Sequence, residues 1–173
     1  MRAGEVIRGL RALAGKSGPQ LTKPDIDDVI KQVLALARSE LLRHDVVLKT
    51  ELDADDRPVI GDRVQLQQVL LNLIMNGGEA MSGIAGRTTE PTVLSTVEAG
   101  RVLVSIKDTG PGLDVSVAEQ MFQPFFTTKP DGLGMGLAIC RSIVEAHGGR
   151  LWVSPREPHG ADVRFTVPSW SEQ

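Results

Sequence analysis

Residues 64–78 form a stretch of fifteen residues without one charged side chain. Its apolar positions recur at helical spacing, and Asp62 with Gln65 three residues on is similar to a capping box. The spacing therefore predicts a helix from Asp62 to about Met81, closed by Ser82 and Gly83. A helix of that length with a free outer face would show Lys or Glu along it, so this one is expected to be mostly buried or to line a cavity. Its polar residues are not scattered. Gln65, Gln68, Asn72, Asn76 and Glu79 follow one another at +3, +4, +4 and +3 and share one face, flanked by Leu66, Val69, Leu70, Leu73, Ile74, Gly77 and Ala80. A stripe of amides in an apolar helix calls for partners.

The surrounding pattern is mixed. Asp25 caps a second predicted helix with its stripe at Ile26, Val29, Ile30, Val33, Leu34, Ala37 and Leu41. Val46 to Thr50 and Pro58 to Ile60 read as two short strands separated by an acidic turn through Asp53, Asp55 and Asp56. Thr92 to Val97 and Arg101 to Lys107 read as a hairpin around Glu98, Ala99 and Gly100, with Val102, Val104 and Ile106 on one face. A glycine-rich stretch from Asp108 to Gly136 leads into a helix carrying Ile139, Cys140, Ile143 and His147 on one side, ended by Gly148 and Gly149. Leu151 to Val153 and Val163 to Val167 make a last pair of strands.

At the other end, Val6, Ile7, Leu10 and Leu13 stand at helical spacing before Gly15 to Pro19 break the pattern. Residues 1–20 carry a charge of +3 against −6 for the remainder, which supports a boundary near residue 20. With 173 residues, 41% hydrophobic and 24% charged, the chain has the balance of one globular domain. A net charge of −3 does not suggest a nucleic-acid surface. The single cysteine forms no internal disulfide, no apolar run approaches a membrane span, and residues 1–15 lack the apolar core of a signal peptide. A cytoplasmic location is expected.

Two phosphate-loop patterns fail. Gly15-Lys16-Ser17 ends like a Walker A loop, but Leu10 stands where the earlier glycine belongs. Gly132, Gly134 and Gly136 are spaced Gly-x-Gly-x-Gly, unlike a dinucleotide fingerprint. Glycines opening a helix still let backbone N–H groups approach an anion, and in isolation this stretch fits either a phosphate cradle or a flexible turn. Asp108 closes a strand, an odd place for a core carboxylate. Ionised, it only accepts hydrogen bonds, so it suits the amino group of adenine and repels the carbonyl oxygen of guanine. The plain alternative is an Asp-Gly turn.

Taken together, Asn72 to Ala80, then Asp108 to Gly112, then Phe122 to Lys129, then Gly132 to Leu137 resemble the four boxes of the histidine-kinase catalytic domain, in their order. The resemblance covers residues 21–168 and includes the ending Phe165 to Pro168. It implies an α/β (α+β) two-layer sandwich, with a mixed sheet of about five strands covered on one face by three helices and a mobile ATP lid. It also implies that Asn76 coordinates magnesium on the ATP phosphates, with Asn72 and Glu79 close by; an amide oxygen suits that hard cation. By the same match Asp108 takes the adenine amino group, and Gly110 and Gly112 let the base lie against backbone. Thr127, Thr128 and Lys129 fall in the lid, where Lys129 meets phosphate or is simply solvated. Gly132, Gly134, Met135, Gly136 and Leu137 form the phosphate-side glycine box.

Position 72 separates branches. Hydrolases of the superfamily place a glutamate there to activate water, a role Asn72 cannot fill. The resemblance therefore implies phosphoryl transfer to a protein histidine, by positioning and magnesium electrostatics. None of His44, His147 and His159 matches the family's acceptor box, and His147 suits a helix cap. Residues 1–20 resemble the end of a dimerisation-hairpin helix plus linker, with 21–173 the kinase domain and the acceptor on a hairpin mostly absent from the chain. The expected partners are that hairpin and a downstream response regulator, with no direct membrane contact, and the domain alone is expected to be monomeric. Alternative readings are a nucleotide-binding module without transfer activity and a serine kinase of the anti-sigma type. Gly77 and Gly78 follow Asn76 where the family usually carries alanine first, and Glu79 stands where some branches carry lysine. No nucleotide contact is carried to the last glycine box at Gly160.

Overall fold

The computed structural model describes residues 20–84, 86, 90–127 and 134–171. The segment expected to end a hairpin helix lies outside these residues up to position 19. Helix α1 spans Ile26–Arg43, its N-terminus capped by the Asp25 carboxylate, which accepts from Asp27 N at 2.8 Å. Its buried positions are those of the predicted stripe together with Asp27, with Leu34 half-buried at the margin.

Five strands follow: β1 (Lys49–Asp53), β2 (Thr92–Glu98), β3 (Arg101–Lys107), β4 (Arg150–Pro155) and β5 (Ala161–Pro168). Helix α2 (Arg63–Met81) lies between β1 and β2, and the single turn α3 (Val115–Ala118) and helix α4 (Gly136–Ala146) between β3 and β4. The sheet order is β1-β2-β3-β5-β4. Only β1 and β2 pair in parallel, and the connection between them contains α2. The β2–β3 hairpin pairs Glu98 with Arg101 and turns through Ala99 and Gly100, both at positive φ.

The expected mixed sandwich is present, with the one-turn α3 as an addition to the three long helices. Val93, Val102, Val104, Ile106, Leu151, Phe165 and Val167 meet the apolar stripes of α1, α2 and α4 in one core. Two buried carboxylates are fully engaged within it. Asp27 accepts from Ser95 Oγ and from Ala54 N at 3.1 Å, which ties α1 to the β1 end and to β2. Asp162 accepts from Ser105 Oγ and from Arg164 Nε at 2.8 Å.

Two expectations about strands need correction. The first strand is Lys49–Asp53, three residues later than the predicted Val46 to Thr50, and it includes Asp53, assigned to a turn. Val46 is buried as irregular chain, whereas β1 is an edge strand whose polar residues face water. Pro58 to Ile60 form no strand of the sheet. Pro58 bridges to Asp25 and Val59 to Ser169, so the segment is a strap between the start of α1 and the end of β5.

Candidate functional site

Helix α2 starts where Asp62 accepts from Val64 N at 2.9 Å and Gln65 N at 3.1 Å, half of the predicted capping box; the Asp62 N–H that the box would give to the Gln65 side chain goes to His147 Nε2 instead. Leu66, Val69, Leu70, Leu73, Ile74 and Gly77 are buried. Gln65, Gln68, Asn72 and Asn76 are half-buried, while Glu79 and Ala80 are exposed. Ala80 therefore does not join the apolar flank. The stripe is a partly open surface rather than a sealed one, and its polarity follows from that. Gly78 faces α1, where a Cβ would stand 2.7 Å from Leu41 Cδ2, whereas a Cβ on Gly77 would make only an ordinary 3.7 Å contact with Ile106, so nothing in the structure explains the alanine missing from position 77.

The second box packs on the end of this helix. A Cβ on Gly110 would lie 3.0 Å from the Ala80 carbonyl oxygen, and Thr109 Oγ1 reaches Met81 Sδ at 3.7 Å. The second box is thereby joined to the end of α2 at Ala80 and Met81. Asp108 is buried, with only 7% of its surface exposed. Its Oδ1 accepts from Gly110 N at 2.9 Å and from Ala161 N at 3.1 Å, while Oδ2 takes no hydrogen bond from the described residues. Burial pushes this carboxyl above its ordinary value, and the two backbone N–H groups and nearby Arg156 work against that rise. Arg156 also donates to the Asp108 carbonyl oxygen at 2.8 Å. Gly112 has φ +94°, a conformation open to glycine, and passes beside Gly160.

Sequence reasoning drew nothing from that last glycine, yet the structure requires it. A Cβ on Gly160, at φ +104°, would stand 2.0 Å from the Asp108 carbonyl oxygen. Arg156, Gly160 and Ala161 thus form the back of the Asp108 pocket. The signal available in the sequence was a glycine one residue before the last strand.

Helix α4 begins at Gly136 with no side-chain cap at Met135, which leaves its first backbone N–H groups without a side-chain partner there. Met135 and Leu137 pack against the core. Gly134, at φ +68°, accepts from Phe125 N at 2.9 Å and lies too close to the Phe125 and Phe126 backbone for any Cβ. The two ends of the segment between them are therefore joined. Thr127 is exposed and already engaged in the structure. Thr128, Lys129 and Gly132 lie outside the described residues.

Helices α2 and α4 meet along the stripe. Asn72 Nδ2 donates to Cys140 Sγ at 3.7 Å, one turn into α4 from Gly136. At the far end of the same pair, His147 caps α4 through its backbone N–H, as expected. Its ring adds a bridge: Asp62 N–H donates to Nε2 at 3.0 Å, which leaves Nδ1 as the donor to Ile143 O at 2.7 Å. The Asp62 carboxylate also accepts from Gln20 N at 2.8 Å, where the described chain enters. His44 instead meets Ser82 Oγ at 3.1 Å beyond the end of α1.

The stripe thus adjoins the second box through Gly110 and Ala80 and the start of α4 through Asn72 and Cys140. Residues 61–171 match the family of histidine kinase-, DNA gyrase B- and HSP90-like ATPases. Sensor protein FixL of Bradyrhizobium diazoefficiens is 40% identical over 173 residues, which covers 99% of this chain and 34% of FixL. The chain thus spans about a third of the length of that relative. The catalytic domain of histidine kinase ThkA superposes with a TM-score of 0.77 at 34% identity, over 86% of this chain and 95% of that domain. ThkA in complex with the response regulator protein TrrA gives a TM-score of 0.77 at 28% identity, over 98% of this chain and 48% of that one. The chain belongs to the histidine kinase-, DNA gyrase B- and HSP90-like ATPase family, as an ATP-binding catalytic domain of the histidine-kinase type.

Proposed function

We propose that this domain holds ATP with magnesium along the α2 stripe and presents the γ-phosphoryl group to a histidine on the dimerisation hairpin of the same kinase. The observation that carries the reading is the Asp108 carboxylate. One oxygen is fixed by two backbone N–H groups, the other is left to accept, and glycine backbone lies beside it. That arrangement selects a ring amino group and disfavours a ring carbonyl.

The metal fits the donor set. Among the described residues no three His, Cys, Asp or Glu side chains cluster to hold an ion by themselves. Magnesium commonly takes one or two protein oxygens and completes its shell with phosphate and water, which suits the amide of Asn76 next to Asn72. Bound there, it neutralises charge on the phosphates. Glu79 borders the same surface, the N–H groups from Gly134 to Leu137 would donate to phosphate oxygens, and Thr127, Thr128, Lys129 and Gly132 are proposed to contact the same phosphates. Asn72 supplies no base for water, so the domain orients the phosphoryl group for another acceptor.

A response regulator then receives the phosphoryl group, a reading supported by the complex in which ThkA was solved. No helix among the described residues is long and apolar enough to cross a membrane, and we place the domain in the cytoplasm. We also take the domain alone to be monomeric, residues 1–20 to be the end of a dimerisation-hairpin helix plus linker, and residues 21–173 to be the kinase domain.

Calorimetric titration with non-hydrolysable ATP and GTP analogues, with and without magnesium, tests the site. The adenine analogue should bind, lose affinity in Asp108→Asn, and lose its magnesium dependence in Asn76→Ala. Transfer is tested by adding the separate hairpin. Well-folded protein that binds neither analogue would overturn the nucleotide reading, and binding without labelling of the hairpin would overturn transfer alone.

A further inference from the structure

Cys140 is wholly buried, and its pKa is pushed up to about 12 by that burial, so the group is a neutral thiol. A neutral thiol has one proton to give and a sulfur that accepts. Sγ donates to Val69 O at 3.9 Å, a carbonyl in the turn of α2 immediately before Asn72. With the proton directed to that carbonyl, the sulfur accepts from Asn72 Nδ2 at 3.7 Å. One side chain of α4 therefore contacts the backbone and the amide of a single turn of α2.

We propose that Cys140 is a positioning residue for Asn72: its sulfur takes the amide N–H and so fixes which end of that amide faces the nucleotide. An amide is planar, with donor and acceptor at opposite ends. Holding NH2 against α4 leaves Oδ1 for the phosphate side, where a hard cation and its water favour oxygen. Without the sulfur the amide is free to turn over and offer N–H to the same place. A valine accepts no hydrogen bond there and adds volume to a buried site. That packing cost is common to both Asn72 backgrounds, so the part of the loss that vanishes in Asn72→Ala reports the orientation of the amide. The inference rests on the proposed nucleotide site, but the contact itself does not.

The test compares the full chain with Cys140→Ser, Cys140→Val, Asn72→Ala and the double variant Asn72→Ala/Cys140→Val, each checked for an unchanged circular dichroism spectrum. In the nucleotide-free protein, the Asn72 side-chain amide resonances should keep one shifted, slowly exchanging proton in wild type and Cys140→Ser, and lose it in Cys140→Val. With an ATP analogue, Cys140→Val should lose about threefold to tenfold of the affinity gained on adding magnesium, and Cys140→Ser should retain most of it. In the Asn72→Ala background, Cys140→Val should cost nothing further. Unchanged Asn72 resonances in Cys140→Val would overturn the proposal, and so would a loss that adds in full to that of Asn72→Ala. If wild type binds no nucleotide, the site reading falls, and the resonances still decide whether Cys140 holds Asn72.

Discussion

The backbone of Gly160 lies against the carbonyl of Asp108 so closely that any side-chain carbon on residue 160 would overlap it. The same Asp108 hydrogen-bonds Ala161 through both its backbone N–H and its carboxylate. The carboxylate is thus held by the first residues of β5 rather than by its own loop alone.

Replacing Gly160 with alanine should destabilise the domain by about 2 kcal/mol or more, from strain at φ +104° and from overlap with Asp108. Gly149→Ala is a control of similar severity, since a Cβ there would meet Thr166 O at 1.8 Å, five residues further along β5. Urea unfolding should show both losses. Among folded molecules, only Gly160→Ala should also lower affinity for an adenine nucleotide.

Acid should weaken nucleotide binding earlier than an ordinary aspartate would. Burial raises Asp108 above its ordinary value of 3.8, so it takes up its proton before an exposed carboxylate does as pH falls. In the proposed site the ionised form accepts from adenine, and affinity should therefore be full at neutral pH and be lost as pH falls through the raised value. Folding has the opposite sign. The contribution of Asp108 to stability is fully present below 3.8 and is lost as pH rises through the raised value. Titrating an ATP analogue across acidic pH should show the loss in wild type, and Asp108→Asn should bind weakly with a flatter profile.

His147→Leu should cost about 1–3 kcal/mol, because it leaves Asp62 N–H and Ile143 O without their ring partner. His147→Gln retains an acceptor for Asp62 N–H and should recover part of the loss. Amide exchange at Asp62 separates the cases: fast in the leucine variant, protected in the glutamine variant.

Ser95→Ala removes one of two donors to the buried Asp27 carboxylate and should destabilise by about 1–3 kcal/mol in urea. Ser95 is on β2, next to edge strand β1 and away from the Asp108 pocket. Nucleotide affinity should be unchanged.

What the sequence displayed was what local periodicity encodes. The α2 face, its cap at Asp62, the apolar stripe of α1 and the β2–β3 hairpin each depend on residues within a few positions of one another. The displaced β1 shows where that logic ends. Glu51, Leu52 and Asp53 are a strand because β2 lies beside them, a pairing across some forty residues that acidic composition conceals. In the site, Asn72, Asn76, Asp108 and the glycine run were visible as motifs. The supports behind them were not: Gly160 behind Asp108 and His147 beneath Asp62 act across 52 and 85 residues. Such contacts leave no spacing to read.

The bond between His147 and Asp62 also acts as a fulcrum. It fastens the start of α2 to the end of α4, and the two helices run in opposite senses from that point, so both lead toward the proposed phosphate site. Asn76 is fourteen residues from Asp62, a lever arm of roughly 21 Å at 1.5 Å per residue. A swing of about 5° at the base moves the tip by roughly 2 Å, more than half the length of a hydrogen bond. The width of the proposed phosphate site thus depends on a bond at the opposite end of the helices, where Asp62 also receives the incoming chain at Gln20.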